Sequence, residues 1–344
     1  MATKKAFSTE NIPPRTLVLG IFAPYNKMTS VQDYFDEFES LVDTLGVEPT
    51  EKIFIRLRSI DKATFLTKGK LHEVAEACEK LEIERVICSE ILRPLQRRAL
   101  EDHLECEIID REELILQIFK RSAMTSEGKV QVEMAEVELM KTRLAGRGQG
   151  LAQQLGVIGG KGPGETYKEK IRRYLEEKMH QAKKHLKILE HARETQRKRR
   201  VRSGVPQFCL VGYTNAGKSS ILNVLTKSDV LEEDKLFATL DTTTRELFLE
   251  KKGKVLLSDT IGFISQLPHQ LINAFHATLD ELKYADLLIH VIDISNHAWE
   301  DQIATVEKTL EEIGVHDCPI LNVFNKSDKL SESQMDFLLT DIER

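Results

Sequence analysis

The stretch QFCLVGYTNAGKSS, residues 207–220, decides the fold of this chain of 344 residues. It places the pattern G-x-x-x-x-G-K-S between an apolar, β-rich run and a helical run, which is the context in which this pattern binds phosphate. The two glycines let the backbone wrap around an anion, so that N–H groups and the helix N-terminus face the charge. The stretch therefore predicts an α/β domain with a phosphate-binding P-loop at residues 212–219.

The P-loop pattern gives two side chains separate roles. Lys218 is expected to reach the β- and γ-phosphates, and the hydroxyl of Ser219 is expected to hold Mg²⁺. The residues predicted to bind nucleotide in this stretch are Gly212, Tyr213, Thr214, Asn215, Ala216, Gly217, Lys218, Ser219 and Ser220.

A second motif, Asn325-Lys326-Ser327-Asp328, follows the apolar run ILNVF. An aspartate in the last position can accept two hydrogen bonds, from the N1–H and the exocyclic amine of guanine, and adenine does not present that pair of donors. We therefore expect GTP and GDP, not ATP, with Asn325, Lys326 and Asp328 at the base.

A third motif, Asp259-Thr260-Ile261-Gly262, ends the run KVLLSD and fits D-x-x-G. Its aspartate is expected to hold a water ligand of Mg²⁺, and its glycine N–H is expected to contact the γ-phosphate. Between this motif and the P-loop lies FATLDTTTR, residues 237–245. Its threonines could close on Mg²⁺, and spacing alone leaves open which one does; they are Thr239, Thr242, Thr243 and Thr244.

The sequence before the P-loop shows two further patterns. Residues 15–121 alternate short apolar runs with helical patterns, which predicts βαβ units on a parallel sheet. From residue 126 the apolar residues fall three, four or seven apart, which predicts two helices in an antiparallel hairpin. The predicted seam comprises Val130, Val137, Met140 and Leu144, then Ile171, Leu175, Met179, Ala182, Leu186 and Leu189.

These patterns divide the chain into three parts. We expect an N-terminal α/β subdomain at residues 1–125, a helical hairpin at 126–202 and a P-loop domain at 203–344. The hairpin contains a glycine-rich segment at 146–165, which is expected to be a mobile loop that makes a functional contact, with a simple linker as the alternative.

Charge is unevenly distributed along the chain. Residues 165–202 carry 14 Lys and Arg against 6 Asp and Glu, a net +8, although the whole chain carries −6. Such a basic helix is typical of a surface that binds a polyanion, and a solvated helix with paired charges is the alternative. No apolar run approaches the roughly 18 residues that span a bilayer, and the N-terminus does not resemble a secretory signal. We therefore expect no membrane span and a cytoplasmic location.

Taken together, these motifs resemble the HflX family, in the TrmE-Era-Obg-HflX group of P-loop GTPases. Blocks outside the P-loop carry the resemblance; they are TKGKLHEV, FKRSAMTSEGKVQVEMAEVELM, RLAGRGQGL, GGKGPGET and DTIGFISQLPHQLINAFHATLDE. The resemblance implies GTP hydrolysis, binding to the large ribosomal subunit, and rescue of stalled or heat-damaged ribosomes by splitting of the subunits. A basic hairpin with a glycine-rich loop suits contact with ribosomal RNA. We expect a monomer.

The resemblance also assigns residues. Matching FATLDTTTR to the family block F-A-T-L-D-P-T makes Thr239 the threonine that closes on Mg²⁺. The expected metal site is then Ser219, Thr239 and Asp259, and the expected catalytic residues are Lys218, Thr239 and Gly262.

The chain departs from the family pattern in three places. Thr67 replaces a glycine of the family's G-K-G-K block, which weakens any expectation of a second nucleotide site. Thr242 replaces a proline, so the segment around it is expected to be less restrained. The sequence ends at Arg344, before an S-A-K-like motif and the last strand and helix. We expect a truncated chain, with a natural short form as the alternative.

The residue after D-x-x-G is Phe263, whereas many GTPases have a glutamine there to orient the attacking water. Arg245 is the nearest arginine that could act on the phosphates, and it could equally be a surface charge. Asn215 matches the asparagine that binds K⁺ in related cation-dependent GTPases, and its alternative role is to satisfy a backbone turn.

Two functions of different classes fit these patterns. The first is a GTPase that hydrolyses GTP faster on the large ribosomal subunit. The alternative is an RNA-binding module for ribosome assembly, in which the nucleotide acts only as a regulator.

Overall fold

The structure is a computed structural model, and it describes residues 13–26, 28–146, 167–227, 235–237, 240, 242–250, 253–268, 271, 275, 279–331, 334 and 335. The chain folds into two compact units, Met1–Asn26 with Gly46–Arg111 and Lys27–Leu45 with Glu112–Arg344. These units interleave along the chain, whereas the sequence predicts three consecutive domains. The domain boundaries at 125 and 202 stay a prediction.

The first unit is built on a parallel sheet with strand order β2-β1-β3-β4. The strands are β1 (Thr16–Phe22), β2 (Glu51–Arg56), β3 (Arg85–Cys88) and β4 (Glu107–Ile109), and helices α2 (Lys68–Lys80) and α3 (Pro94–Leu104) connect the last three. All seven residues of β1 are buried, as a central strand of a parallel sheet requires. This sheet confirms the parallel α/β pattern predicted for residues 15–121.

Helix α1 (Val31–Thr44) follows β1 in the chain but belongs to the second unit. The hydroxyl of Ser30 accepts the backbone N–H of Asp33 and so caps the helix N-terminus. The buried side chains of α1 recur three or four residues apart and form one face; they are Tyr34, Phe35, Phe38, Leu41 and Val42.

The second unit also contains α4 (Arg111–Ser122) and the long helices α5 (Ser126–Gly146) and α6 (Tyr167–Ser203). Val137 of α5 packs with Leu175 and Met179 of α6. Ion pairs join Glu133 to Lys178 and Glu127 to Arg193, so the two helices run antiparallel. The predicted hairpin is confirmed. Residues 147–166, which make up nearly all of the predicted glycine-rich loop, lie outside the described residues.

One residue predicted on the hairpin seam is not there. Met140 is 52% exposed. Successive helical residues are about 100° apart, so Val130 and Val137 lie on one side of α5, and Val132 and Leu139 lie on the opposite side. All four are buried. Helix α5 therefore buries two faces, and Met140 lies between them.

The rest of the second unit is a five-stranded sheet with order β6-β7-β5-β8-β9, in which β6 is antiparallel to β7 and the other pairs are parallel. The chain order is β5 (Gln207–Gly212), α7 (Lys218–Thr226), β6 (Thr243–Leu249), β7 (Gly253–Asp259), β8 (Leu287–Asp293), α8 (Trp299–Ile313) and β9 (Ile320–Asn325). Short 3₁₀ turns lie at Asp280–Tyr284 and Ser327–Lys329. The α/β class is confirmed.

This topology gathers the three motifs. Strands β5, β7 and β9 are parallel, and the P-loop, D-x-x-G and N-K-x-D each lie at a carboxyl end. Ligands of open α/β sheets bind at that edge. In the described part of the chain, no helix combines the length and apolarity that a bilayer crossing requires.

Candidate nucleotide-binding site

The backbone of residues 212–217 forms a tight loop that only glycine permits at its two ends. Gly212 has φ +151° and Gly217 has φ +94°. A Cβ atom at Gly212 would overlap the carbonyl oxygen of Val291, and one at Gly217 would overlap the side-chain amide of Asn325. Gly217 is also the N-cap of α7, so the free N–H groups of the first helical turn lie at the loop.

Lys218 lies beneath this loop and is 6% exposed. Its Nζ donates hydrogen bonds to the carbonyl oxygens of Gly212, at 3.2 Å, and Tyr213, at 2.8 Å. Burial lowers the pKa of Lys218 to about 8, and the nearby Asp259 carboxylate opposes that shift. A phosphate group beside Nζ would supply the negative charge that favours the ammonium form.

Ser219 and Asp259 meet at the start of α7 and the end of β7. The Ser219 hydroxyl donates to Oδ2 of Asp259 at 2.6 Å, and Asp259 is fully buried. A hydroxyl and a carboxylate are the hard oxygen donors that Mg²⁺ prefers. Because the pair lies beside Lys218, at the end of the phosphate loop, these residues fit Mg²⁺ bound together with phosphate.

The D-x-x-G motif lies directly against the P-loop. The Thr260 hydroxyl donates to the carbonyl oxygen of Leu210 on β5, at 2.7 Å. A Cβ atom at Gly262 would lie 2.6 Å from Cα of Thr214 and 3.0 Å from Nζ of Lys218. The absence of a side chain at 262 is thus what permits the close approach of the two motifs.

The N-K-x-D motif holds the P-loop from the other side. Nδ2 of Asn325 donates to the carbonyl oxygen of Ala216 at 2.8 Å, and Nζ of Lys326 donates to that of Asn215 at 2.8 Å. Lys326 also forms an ion pair with Asp293, at the end of β8, at 2.8 Å. Asp328 is exposed in the 3₁₀ turn, where an incoming base can reach its carboxylate.

Three family models match the chain. They are described as GTP-binding GTPase N-terminal, at residues 32–120; GTP-binding GTPase Middle Region, at residues 122–200; and 50S ribosome-binding GTPase, at residues 207–326. The GTPase HflX of Lacrimispora saccharolytica is 43% identical over 293 residues, which cover 85% of this chain and 69% of that protein. The GTPase HflX of Escherichia coli is 44% identical over 296 residues, covering 86% and 70%.

This chain belongs to the HflX family of GTPases. The resemblance seen in the sequence is confirmed, and the chain is a GTP-hydrolysing enzyme by family. Among solved structures, the complex of SsGBP with GDP matches with a TM-score of 0.52 and 25% identity, covering 95% of this chain and 88% of that one.

In this HflX-family chain the residue after D-x-x-G is joined to the P-loop. The backbone N–H of Phe263 donates to the carbonyl oxygen of Gly212 at 3.1 Å, and that of Thr214 donates to the carbonyl oxygen of Phe263 at 2.7 Å. The Phe263 side chain is 1% exposed. It therefore packs into the protein, and the place of the usual glutamine is taken by a residue that cannot orient water.

The described part of the structure does not place Thr239 or Arg245 at the site. Thr239 lies outside the described residues, although nearby Phe237 is held by a hydrogen bond from its N–H to the Thr214 hydroxyl, at 2.8 Å. Arg245 lies on β6 with Nη1 donating to the adjacent carbonyl oxygen of Thr244, at 3.2 Å. Ser220 is half-buried in the first turn of α7.

Sequence reasoning missed the acidic residues near the P-loop. Asp293 could have been found, because it ends a strand at the carboxyl edge of the sheet. Glu37 of α1 carries no such signal, since an acidic residue on an amphipathic helix resembles a solvated charge. A cavity of about 320 Å³ lies between α1, the P-loop and the loop after β8. Its polar lining includes Asp33, Asp36, Glu37, Asn215, Asp293 and Asn296.

Proposed function

We propose that this chain binds GTP with Mg²⁺ at the P-loop and hydrolyses it in response to the large ribosomal subunit, in order to split or rescue ribosomes. The observation that carries the nucleotide part is the convergence of Lys218, the Ser219–Asp259 pair and Asn325 on one loop. Each contact is made by a residue of a different motif, and the three motifs are the ones required for phosphate, metal and guanine.

Each residue has a proposed role. Lys218 binds the β- and γ-phosphates, Ser219 and Asp259 hold Mg²⁺, and the Gly262 N–H binds the γ-phosphate. Thr239 completes the metal site by the family match. When bound there, Mg²⁺ would supply positive charge beside the phosphate oxygens. Asn325 and Lys326 hold the loop in shape, and Asp328 selects guanine.

Nucleotide titrations test this site. Lys218→Ala should weaken GTP binding severely, and Asp328→Asn should lower GTP affinity and reduce the preference for GTP over ATP. Each substitution removes a charge-assisted contact worth about 1.5–3 kcal/mol, or roughly ten- to 150-fold in affinity. Lys227→Ala, at an exposed lysine beyond the end of α7, is the matched control. Unchanged GTP affinity in both site variants would refute the assignment.

Association with ribosomes is supported by the hairpin and by the match to a ribosome-binding GTPase model. Exposed lysines of α6 give it a basic surface; examples are Lys170, Lys183, Lys184 and Lys187. Arg193 of the same helix pairs with Glu281, at 3.8 Å, in the 3₁₀ turn that follows the D-x-x-G segment. This contact offers a physical route from ribosomal RNA to the nucleotide site. We further propose that the protein acts as a monomer in the cytoplasm, where ribosomes are found.

Experiments with purified large subunits distinguish a ribosome-splitting GTPase from an RNA-binding assembly module that the nucleotide only regulates. A splitting GTPase should bind them more tightly with a non-hydrolysable GTP analogue than with GDP. Its hydrolysis should be stimulated by intact large subunits and not by protein-free ribosomal RNA, and light scattering should show dissociation of whole ribosomes. Nucleotide-dependent binding without stimulated hydrolysis would favour the assembly module.

We also propose a K⁺ ion at Asn215, which would place positive charge next to the phosphates. Asn215 has φ +60°, a conformation that asparagine tolerates in turns, so its competing role is to shape the loop. Hydrolysis in KCl and in NaCl at equal ionic strength, with Asn215→Ala in parallel, tests the ion. Equal rates in the two salts would refute it.

A further inference from the structure

The hydroxyl of Tyr213, in the P-loop, is the centre of a partly buried hydrogen-bond network. Tyr213 is 4% exposed. Its hydroxyl contacts the Glu37 carboxylate, the backbone N–H of Ser265 at 2.6 Å and the Ser265 hydroxyl at 2.7 Å. A carboxylate can only accept, so the Tyr213 proton goes to Glu37 and both groups of Ser265 donate. All three hydrogen-bonding positions of the hydroxyl are then used.

This network fixes the segment that follows D-x-x-G. Ser265 lies three residues after Gly262, and Phe263 between them pairs with the P-loop backbone. Because the Phe263 side chain cannot orient water, hydrolysis depends on other groups near this backbone, and their placement follows its position. The Tyr213 hydroxyl is not needed for phosphate binding, which P-loops achieve mainly through the backbone and the lysine.

Helix α1 supports the same region at a second point. Glu37 lies on α1, and near the end of that helix the Thr44 hydroxyl accepts the backbone N–H of Leu236 at 3.1 Å. Leu236 immediately precedes the FATLDTTTR segment, and Ser265 follows D-x-x-G. One helix therefore contacts both segments expected to close on the γ-phosphate.

We propose that Tyr213 is a positioning residue for GTP hydrolysis, because its hydroxyl fastens the backbone after D-x-x-G to Glu37 of helix α1. This role rests on the proposed nucleotide site. Burial and the neighbouring Glu37 carboxylate raise the pKa of Tyr213, which keeps the hydroxyl protonated as the network requires. The role predicts that loss of the hydroxyl slows hydrolysis more than it weakens nucleotide binding.

Tyr213→Phe in the full chain tests the role, because it removes the hydroxyl and keeps the ring. The value of kcat for GTP hydrolysis should fall about three- to tenfold, as expected for loss of one or two net hydrogen bonds in the transition state, with the Kd for GDP within about twofold. Tyr25→Phe is the matched control, since Tyr25 also donates to a carboxylate, that of Glu90, in the other unit. It should leave kcat unchanged.

Variants of Glu37 provide a second measurement. Glu37→Gln keeps an acceptor and should retain more of kcat than Glu37→Ala. If both residues act through one contact, the double variant Glu37→Ala with Tyr213→Phe should lose little more kcat than the more severe of the two single variants. An unchanged kcat in Tyr213→Phe, or fully additive effects, would overturn the proposal. A loss of GDP affinity equal to the loss of kcat would also overturn it. If the parent chain neither bound nor hydrolysed GTP, the proposed site itself would have failed.

Discussion

At the scale of single residues, two glycines with the same φ angle allow the effect of backbone strain to be distinguished from the effect of a steric overlap. Gly217 and Gly253 both have φ +94°, but a Cβ atom at Gly253 would meet nothing within 4 Å, whereas one at Gly217 would overlap Asn325. Gly253→Ala should lower the free energy of unfolding by about 1–3 kcal/mol through backbone strain alone. Gly217→Ala should add displacement of Asn325 and so reduce GDP affinity at least about tenfold.

Urea unfolding and GDP titration of both variants provide the measurement. We expect Gly253→Ala to bind GDP within about twofold of the parent affinity, because its backbone strain lies at the first residue of β7. If the two alanine variants lost equal GDP affinity, the overlap with Asn325 would have no part in nucleotide binding.

The buried lysine gives the site a pH dependence. Burial lowers the pKa of Lys218 to about 8, below the ordinary value of 10.5. GDP phosphates bind the protonated amine and therefore raise its pKa, so binding takes up a proton above about pH 8. GDP affinity should be constant below that pH and fall by up to about tenfold per pH unit above it.

GDP titrations between about pH 7 and pH 9 check this. Lysines with an ordinary pKa stay protonated over that range, so they do not contribute to the change. Lys218→Arg keeps its charge over the whole range and should bind GDP, if more weakly, with no such slope. Equal GDP affinity of the parent chain at both ends of the range would contradict the prediction.

The motif residues could be predicted from sequence because each motif is short and its chemistry is local. Lys218, Ser219 and Asp259 lie close together, as the P-loop and D-x-x-G motifs predict. The contact of Tyr213 with Glu37 could not be predicted, since it joins residues 176 positions apart and neither pattern indicates the other. Only the packing of α1 beside the P-loop creates it.

At the scale of helices and strands, an aromatic cluster joins α4 to Phe237, the first residue of the FATLDTTTR segment, and to Phe275. The Phe119 ring meets those of Phe237 and Phe275 edge-on, with centroids 4.7 and 5.0 Å apart, and all three side chains are buried. Phe237 has φ +57°, a conformation that is costly for a residue with a side chain. We infer that Phe119 helps to hold it there.

Phe119→Leu should lower the free energy of unfolding by about 1–3 kcal/mol, because it removes two aromatic ring pairs. It should also lower affinity for a non-hydrolysable GTP analogue about three- to tenfold more than affinity for GDP, since a looser FATLDTTTR segment loses more entropy when it closes. Leu114→Ala, at a fully buried position of the same helix, is the control for destabilisation. If both variants changed the ratio of GTP-analogue affinity to GDP affinity equally, Phe119 would have no specific role.

The predicted helices and strands of the first unit all occur, because their apolar periods are clear and their loops are short. The predicted seam of α5 was wrong at Met140 for a physical reason. A helix that packs on one partner shows one apolar stripe, but α5 buries two faces, so the residue between two stripes resembles a seam residue in sequence. Sequence spacing does not reveal how many neighbours a helix has.

At the scale of the whole molecule, the division into units could not be predicted from sequence. Helix α1 lies between β1 and β2 in the chain, and βαβ reasoning places it with their sheet. It belongs instead to the unit that contains the P-loop. Its amphipathic face indicates burial but does not identify the surface that covers it. This is why the candidate site gained α1 only from the structure.

The uneven charge of the molecule leads to a prediction about ribosome binding. The run QRKRR, residues 196–200, lies in α6 and contributes to the net +8 of residues 165–202. Reversing Arg197, Lys198, Arg199 and Arg200 to glutamate should weaken binding to large subunits. It should also lower the slope of log K against log salt by roughly 0.7–0.9 for each phosphate that the variant no longer binds, because fewer counterions are released. Basal GTP hydrolysis should be unchanged.

The control must change the net charge equally at another place, since any added negative charge repels RNA at long range. Exposed lysines outside the hairpin provide it; they are Lys227, Lys254, Lys283 and Lys308. Reversing them should weaken binding by general repulsion but leave most of the slope intact, because the phosphates bound by the hairpin stay bound. Affinity for large subunits measured by sedimentation across a series of KCl concentrations compares the two. Equal slopes in the two variants would mean that the hairpin binds no phosphate directly and that its charge acts only at a distance.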